Sequence, residues 1–249
     1  MSGHSKWSTI KHKKGRADAA RGKLFTKLIR ELVVAAREGG GDIDGNARLR
    51  AAVLSARANN MPKDTIDRAV KRGAGNLEGE QYEAVSYEGY GPGGVAFFVE
   101  ALTSNRNRAV AEVRHALAKN GGNLGTDGSV AWMFEQKGYI EVPSEGIAFD
   151  RIFEAAVEAG AEDVEAGDEI WSIYCGFTDL HGVARALEAA GFEVTTCRPI
   201  RIPTTTVAAE GSLADSTLRL MDFLDDLDDV QNVYNNAEIS DAEMERLSS

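Results

Sequence analysis

This chain is short of almost everything that marks an enzyme or a secreted protein. It has two cysteines in 249 residues, Cys175 and Cys197, too few and too isolated for a disulfide framework or a zinc cluster. Their scarcity fits a reducing cytoplasm. No run of eighteen apolar residues exists, so no segment reads as a membrane-spanning helix. The first thirty residues are basic but lack the apolar centre of a signal peptide, and they fit a transit peptide poorly because they lead straight into a helical pattern. The four histidines, His4, His12, His115 and His181, show no metal-ligand spacing with one another, with a cysteine or with a carboxylate. There is no Gly-x-Ser-x-Gly elbow and no cysteine–histidine pair that spacing alone would join. The expectation is therefore a non-enzyme with no cofactor and no metal.

Two glycine-rich segments invite a phosphate-binding reading and fail it. Gly89, Gly91 and Gly94 match the dinucleotide fingerprint literally, but the fingerprint needs a following helix. Here a strand-like run, Val95–Leu102, follows, and Pro92 removes a backbone donor, so a hairpin connection is expected. The segment Asn120–Gly128 lacks the Gly-Lys-Ser/Thr ending of a phosphate loop. It reads as a turn whose exposed amides could touch a phosphate.

What the chain has is a split of charge. Residues 1–76 hold 17 Lys and Arg against 7 Asp and Glu; the other 173 hold 11 against 32. The balances of +10 and −21 give the overall −11. An asymmetry of this size points to a polyanion partner for the basic end, while the acidic remainder limits which face can dock.

The basic end reads as an arm and three helices. Residues 2–15 lack helical periodicity. Over 17–38, Leu24, Leu28, Leu32 and Ala36 share a side with Phe25 and Ile29. At about 100° per residue, Arg16, Lys23, Lys27, Arg30 and Arg37 fall in a stripe of roughly 80° opposite them. A second helix is expected over 46–59, capped by Asp44. A third runs from Pro62, with Gly73 as its C′ residue. The candidate nucleic-acid contacts are Lys6, Lys11, His12, Lys13, Lys14, Arg16, Lys23, Lys27, Arg30, Arg37, Arg50 and Arg57. Aromatic platforms for stacking bases are missing from this set, as is a helix start rich in Arg, Asn or Gln for reading base edges. The set therefore suits phosphate and shape recognition.

From Tyr82 short β-rich runs alternate with helices. Residues 138–199 give strand, helix, strand, strand, helix, strand, the ferredoxin-like order. The elements after Pro203 are too few to stand alone and would complete the unit begun at Tyr82. The expected fold is α+β and multidomain: a three-helix domain over 1–78, a middle α/β domain over 79–136 plus 200–249, and an inserted ferredoxin-like domain over 137–199, making two ferredoxin-like α/β units. Helix 213–229 ends in Asp222, Asp225, Asp226, Asp228 and Asp229, against the helix dipole. The first expectation is a solvated acidic helix end; the sharper one is a docking site for a basic protein or a brake on the chain's own basic region.

Several segments resemble the YebC family: Gly3-His4-Ser5-Lys6-Trp7, Ile10-Lys11-His12-Lys13, Arg21-Gly22-Lys23 with Phe25–Glu31, Asn59-Asn60-Met61-Pro62, Tyr87–Val95, Thr103–Arg108 and Gly128–Phe134. Ser104 stands where Asp is expected. The resemblance covers nearly the whole chain. It implies three domains, with the last inserted into the middle one, and cytoplasmic regulation linked to nucleic acid. It implies either of two roles: DNA-binding transcription regulation, or ribosome-associated translation regulation that relieves stalling, with RNA binding. Mitochondrial relatives include the translational activator of cytochrome c oxidase. No catalytic residue is implied.

Overall fold

The computed structural model describes residues 17–75, 77–167 and 169–248. The fold is α+β, with N-terminal helices followed by sheet-and-helix units. Two compact units make it up. One takes the chain up to Lys27, then Glu80–Glu135, then everything from Ile202; the other takes Leu28–Gly79 and Gln136–Arg201.

Helix α1 (Ala17–Gly39) enters the second unit at Leu28 and leads there into α2 (Ala47–Ala58) and α3 (Lys63–Gly73). Leu32, Val33, Leu49, Val53, Ile66 and Ala69 are buried. One side chain organises the α1–α2 corner. Asn46 Oδ1 accepts from the Leu49 amide at 3.0 Å, capping α2. Its Nδ2 donates to the carbonyls of Ala35 and Gly40, both at 2.8 Å, satisfying acceptors at the α1 end. The cap is therefore Asn46 rather than Asp44. Gly73 also differs from expectation. It is the last residue of α3 and is needed for closeness: a Cβ there would lie 2.3 Å from the Val33 carbonyl oxygen.

The same unit contains β4 (Phe134–Pro143), α5 (Phe149–Ala159), β5 (Asp163–Ala166), β6 (Ile170–Gly176), α6 (Leu180–Ala189) and β7 (Thr196–Pro203). The sheet order β5-β6-β4-β7 is that of a ferredoxin-like βαββαβ unit. Ile140 pairs with Ile173, and both join Ile152, Val183 and Leu187 in one apolar core. The last strand starts later than the pattern suggests. Phe192 and Val194 are buried at alternate positions, yet they precede β7.

In the first unit, β1 (Glu83–Tyr90) and β2 (Ala96–Thr103) form an antiparallel hairpin. The turn between them needs positive φ at Gly93 and Gly94, 63° and 77°. After α4 (Arg106–Lys119), the short β3 (Asn123–Leu124) pairs with β1. Past β8 (Val207–Ala208) and α7 (Gly211–Asp225), β9 (Val230–Asn235) pairs with β2, Tyr234 opposite Phe98. A sheet begun at Glu83 is thus finished at Asn235. Its order, β3-β1-β2-β9, puts consecutive strands at the centre. Phe97, Val113, Leu117, Leu220 and Leu224 lie in the core of this unit. β10 (Ala237–Glu238) pairs in parallel with β8, and α8 (Asp241–Ser248) ends the described chain. No described helix is long and apolar enough to cross a membrane.

Candidate nucleic-acid interface

Lys6, Lys11, His12, Lys13, Lys14 and Arg16 lie outside the described residues. The rest of the basic set is placed unevenly. Lys23 and Lys27 stand one turn apart on α1, and both are already paired within the first unit. Lys23 Nζ lies 3.0 Å from Asp226 Oδ1 and 3.2 Å from the Asp226 carbonyl oxygen. Lys27 Nζ lies 2.6 Å from Asp225 Oδ1. The acids expected to be a solvated helix end are thus counter-ions for two of the expected phosphate contacts. Asp229 has a different job. Its carboxylate, 2% exposed, accepts from Thr103 Oγ1 at 2.8 Å and is gripped by Arg108 at 2.8 and 3.0 Å.

Arg30 departs from the exposed stripe: it is only 8% exposed. The wheel assumed one covered side throughout, but every residue from Leu32 to Ala36 is buried. One stretch of α1, Leu32–Ala36, is covered all round, and Arg30 lies just ahead of it. Arg37 remains exposed. On α2, Arg50 is half-buried, its guanidinium donating to the Asp44 carbonyl, and Arg57 is exposed. Arg48, outside the candidate set, is held by Glu31 at 2.7 Å and Glu38 at 2.6 Å.

Arg50 and Arg57 line a cleft of about 260 Å³ in the second unit, between α2 and α6. His181, Arg185 and Cys197 also line it. Cys197 Sγ lies 3.7 Å from His181 Nδ1, a meeting that sixteen residues of separation did not disclose. Burial pushes the Cys197 thiol up to about 12, with Cys175 and Glu188 adding to the shift. Burial also lowers His181, and Arg50 and Arg185 lower it further. A thiol that keeps its proton beside a neutral imidazole is not an activated nucleophile. Among the described residues, no group of three or more His, Cys, Asp or Glu could hold a metal ion.

The glycine-rich segment before Ser129 is not a free array of amides. Within it the Gly125 amide donates to the Glu88 carbonyl at 2.8 Å and the Gly128 amide to the buried Glu88 carboxylate at 2.7 Å, which also accepts from Val130 at 2.7 Å and Ala131 at 2.8 Å outside it. Just beyond, Trp132 sits in a 3-10 turn, 67% exposed, with Nε1 donating to the Ser129 carbonyl at 3.2 Å. This exposed indole is absent from the candidate contacts read from the sequence. Its place between Ala131 and Met133, in a run with no helical period, carried no signal of exposure.

Comparison with known proteins places the whole architecture. Residues 5–76 match the TACO1/YebC protein N-terminal domain, and residues 82–237 match the TACO1/YebC second and third domain. A probable transcriptional regulatory protein of Acidithiobacillus ferrooxidans is 57% identical over 249 residues, covering 100% of this chain and 99% of its own. One from Desulforapulum autotrophicum is 56% identical over 241 residues, 97% of this chain and 98% of its own. A crystal structure of a conserved hypothetical protein from Aquifex aeolicus superposes with a TM-score of 0.86 at 49% identity, covering 93% of this chain and 96% of that one. Relatives matched over their full length and named probable transcriptional regulatory proteins define the class that this chain resembles. The chain belongs to the TACO1/YebC family.

Proposed function

We propose that this chain is a cytoplasmic nucleic-acid-binding regulator of gene expression. In this reading residues 1–78 carry the contacts, residues 79–136 with 200–249 form a middle domain, and 137–199 form an inserted one. The observation that carries it is the charge split, +10 against −21. Phosphate contacts by Lys and Arg release counter-ions, so four to six such contacts would give a salt slope of about −4 to −5 on duplex DNA. Structured RNA on the ribosome is the favoured target, in a translation role that relieves stalling. Cations without a base-reading helix suit backbone and shape recognition. The chain acts by binding rather than by catalysis, a reading supported by the neutral state of its Cys197–His181 pair. The basic partner of the acidic α7 end is, in this reading, the chain's own α1, with Lys23 and Lys27 as occupants.

DNA-binding transcription regulation is the second reading, favoured by the names of the relatives. It requires preference for particular duplexes, at about 1–3 kcal/mol for each wrong base pair. Crosslinking in growing cells followed by sequencing separates the two. Enrichment of rRNA is expected; discrete promoter DNA with no rRNA signal would overturn the ribosomal assignment. A full-length Lys23→Gln/Lys27→Gln variant that binds nucleic acid with unchanged affinity and salt slope would remove α1 from the interface.

A further inference from the structure

The cleft between α2 and α6 holds three arginines that the protein does not spend on its own acids. On α2, Arg50 and Arg57 are seven residues apart and share a face with Ala51 and Leu54. On α6, His181, Arg185 and Glu188 recur at the same helical spacing. Arg50 is steadied by the Asp44 carbonyl, and Arg185 Nε donates to the His181 carbonyl at 3.2 Å. These are neutral acceptors, so both guanidinium charges persist. Among the described residues, no ion pair engages Arg50, Arg57 or Arg185, whereas Arg48 one turn away is bound by two glutamates. The imidazole in the cleft registers the resulting field: after burial, Arg50 and Arg185 are what hold His181 below its ordinary value.

We propose that this cleft binds a nucleotide unit, its phosphate on Arg50, Arg57 and Arg185 and its nucleoside on the apolar floor around Ala51 and Leu54. A planar guanidinium matches phosphate oxygens two at a time. At about 260 Å³ the cleft is just below the roughly 300–1,000 Å³ of drug-sized ligand sites. It has room for one nucleotide and none for a duplex, so the base that enters is unpaired. The lining carboxylates Asp44 and Glu188 are acceptors for ribose hydroxyls, which an inorganic anion would not use. The occupant is a free nucleotide or one unpaired unit of a single strand. The site does not rest on the nucleic-acid function proposed above, although Arg50 and Arg57 belong to both surfaces.

Calorimetric titration of the full-length protein tests it, with adenosine 5′-monophosphate, adenosine, inorganic phosphate and an eight-residue oligouridylate as separate probes at low salt. Saturable one-to-one binding of the monophosphate or the oligonucleotide is expected, with adenosine and inorganic phosphate each at least tenfold weaker. Binding of the monophosphate identifies a free-nucleotide site; binding of the oligonucleotide alone identifies a strand site. Arg57→Ala/Arg185→Ala should weaken the bound probe at least tenfold, while Arg114→Ala, an exposed arginine of α4 outside the cleft, leaves it within twofold. No saturable binding of either nucleotide probe, or equal binding of adenosine, would overturn the proposal, as would an arginine variant that binds like the parent. Should that variant unfold, the His181 ring resonances of the parent protein decide. They shift on addition of the bound probe if the site is right, and stay put if it is wrong.

Discussion

Replacing Asp225 and Asp226 by asparagine should make this protein bind nucleic acid more tightly. The two carboxylates lie 2.6 and 3.0 Å from Lys27 and Lys23, so a phosphate reaching either lysine must first displace an internal counter-ion. Exposed pairs of this kind are worth about 0.2–1 kcal/mol each. The Lys23–Asp226 pair, with side chains 46% and 65% exposed, belongs low in that range; the better covered Lys27–Asp225 pair belongs near its top. Together they oppose binding by about 1–1.4 kcal/mol, and removing both should raise affinity about five- to tenfold. Two lysines released to phosphate should also steepen the log–log salt slope by about 1.8 on duplex DNA. Fluorescence anisotropy of a labelled RNA hairpin and a labelled DNA duplex, each over a salt series, reads both quantities. Asparagine preserves shape and hydrogen bonding, so the fold should be undisturbed. Tighter binding with an unchanged slope would mean that only general repulsion had been relieved. Unchanged affinity and slope would show that Lys23 and Lys27 do not meet nucleic acid and that Asp225 and Asp226 hold nothing back from it.

Three further outcomes test the fold. Asn46→Ala removes the α2 cap and leaves two carbonyls near the α1 end without their donor, so it should cost about 2–3 kcal/mol in urea denaturation; a loss under 0.5 kcal/mol would contradict the double role. Gly73→Ala should destabilise by about 1–3 kcal/mol although alanine is the better helix former, because its Cβ would press on the Val33 carbonyl. Cys175 and Cys197 have thiols raised by burial to about 11 and about 12, so the folded chain holds protons that the unfolded chain releases near pH 9. Stability should therefore fall as pH rises from about 9 toward 11, and Cys175→Ala/Cys197→Ala should flatten that fall when unfolding is followed across the range.

Local signals were readable in the sequence, and meetings across the chain were not. The periodicity over 17–38, Pro62 and the strand-helix alternation after Tyr82 reported on their own neighbourhoods, so the helices, the hairpin and the ferredoxin-like order followed from them. Asp44 and Asn46 are equally good caps on paper. What selects Asn46 is the pair of carbonyls at the α1 end, which an aspartate could not serve because it has no donor. Gly73 looked like a left-handed terminator until the Val33 backbone was found against it. The α1 wheel separated apolar from basic residues correctly for Lys23 and Lys27 but not for Arg30, since a two-sided pattern cannot describe the stretch Leu32–Ala36, covered all round just beyond it. The Lys23–Asp226 pair joins residues 203 apart, and the α2–α6 cleft joins stretches more than 120 apart. No periodicity spans such distances.

The late closure of the β3-β1-β2-β9 sheet bears on how the chain is made. The strands of the inserted sheet all lie between Phe134 and Pro203, so they can pair as soon as that stretch has emerged. β2 gains its second neighbour only when β9 arrives, more than 120 residues later. At about 5–20 residues per second, that leaves one edge of β2 unmatched for roughly 10 s of synthesis. The edge carries Phe97, Phe98 and Val99, a run that invites pairing with another chain. The insert thus matures before its host, and a chain that stops short of Val230 displays an apolar strand that nothing of its own can cover.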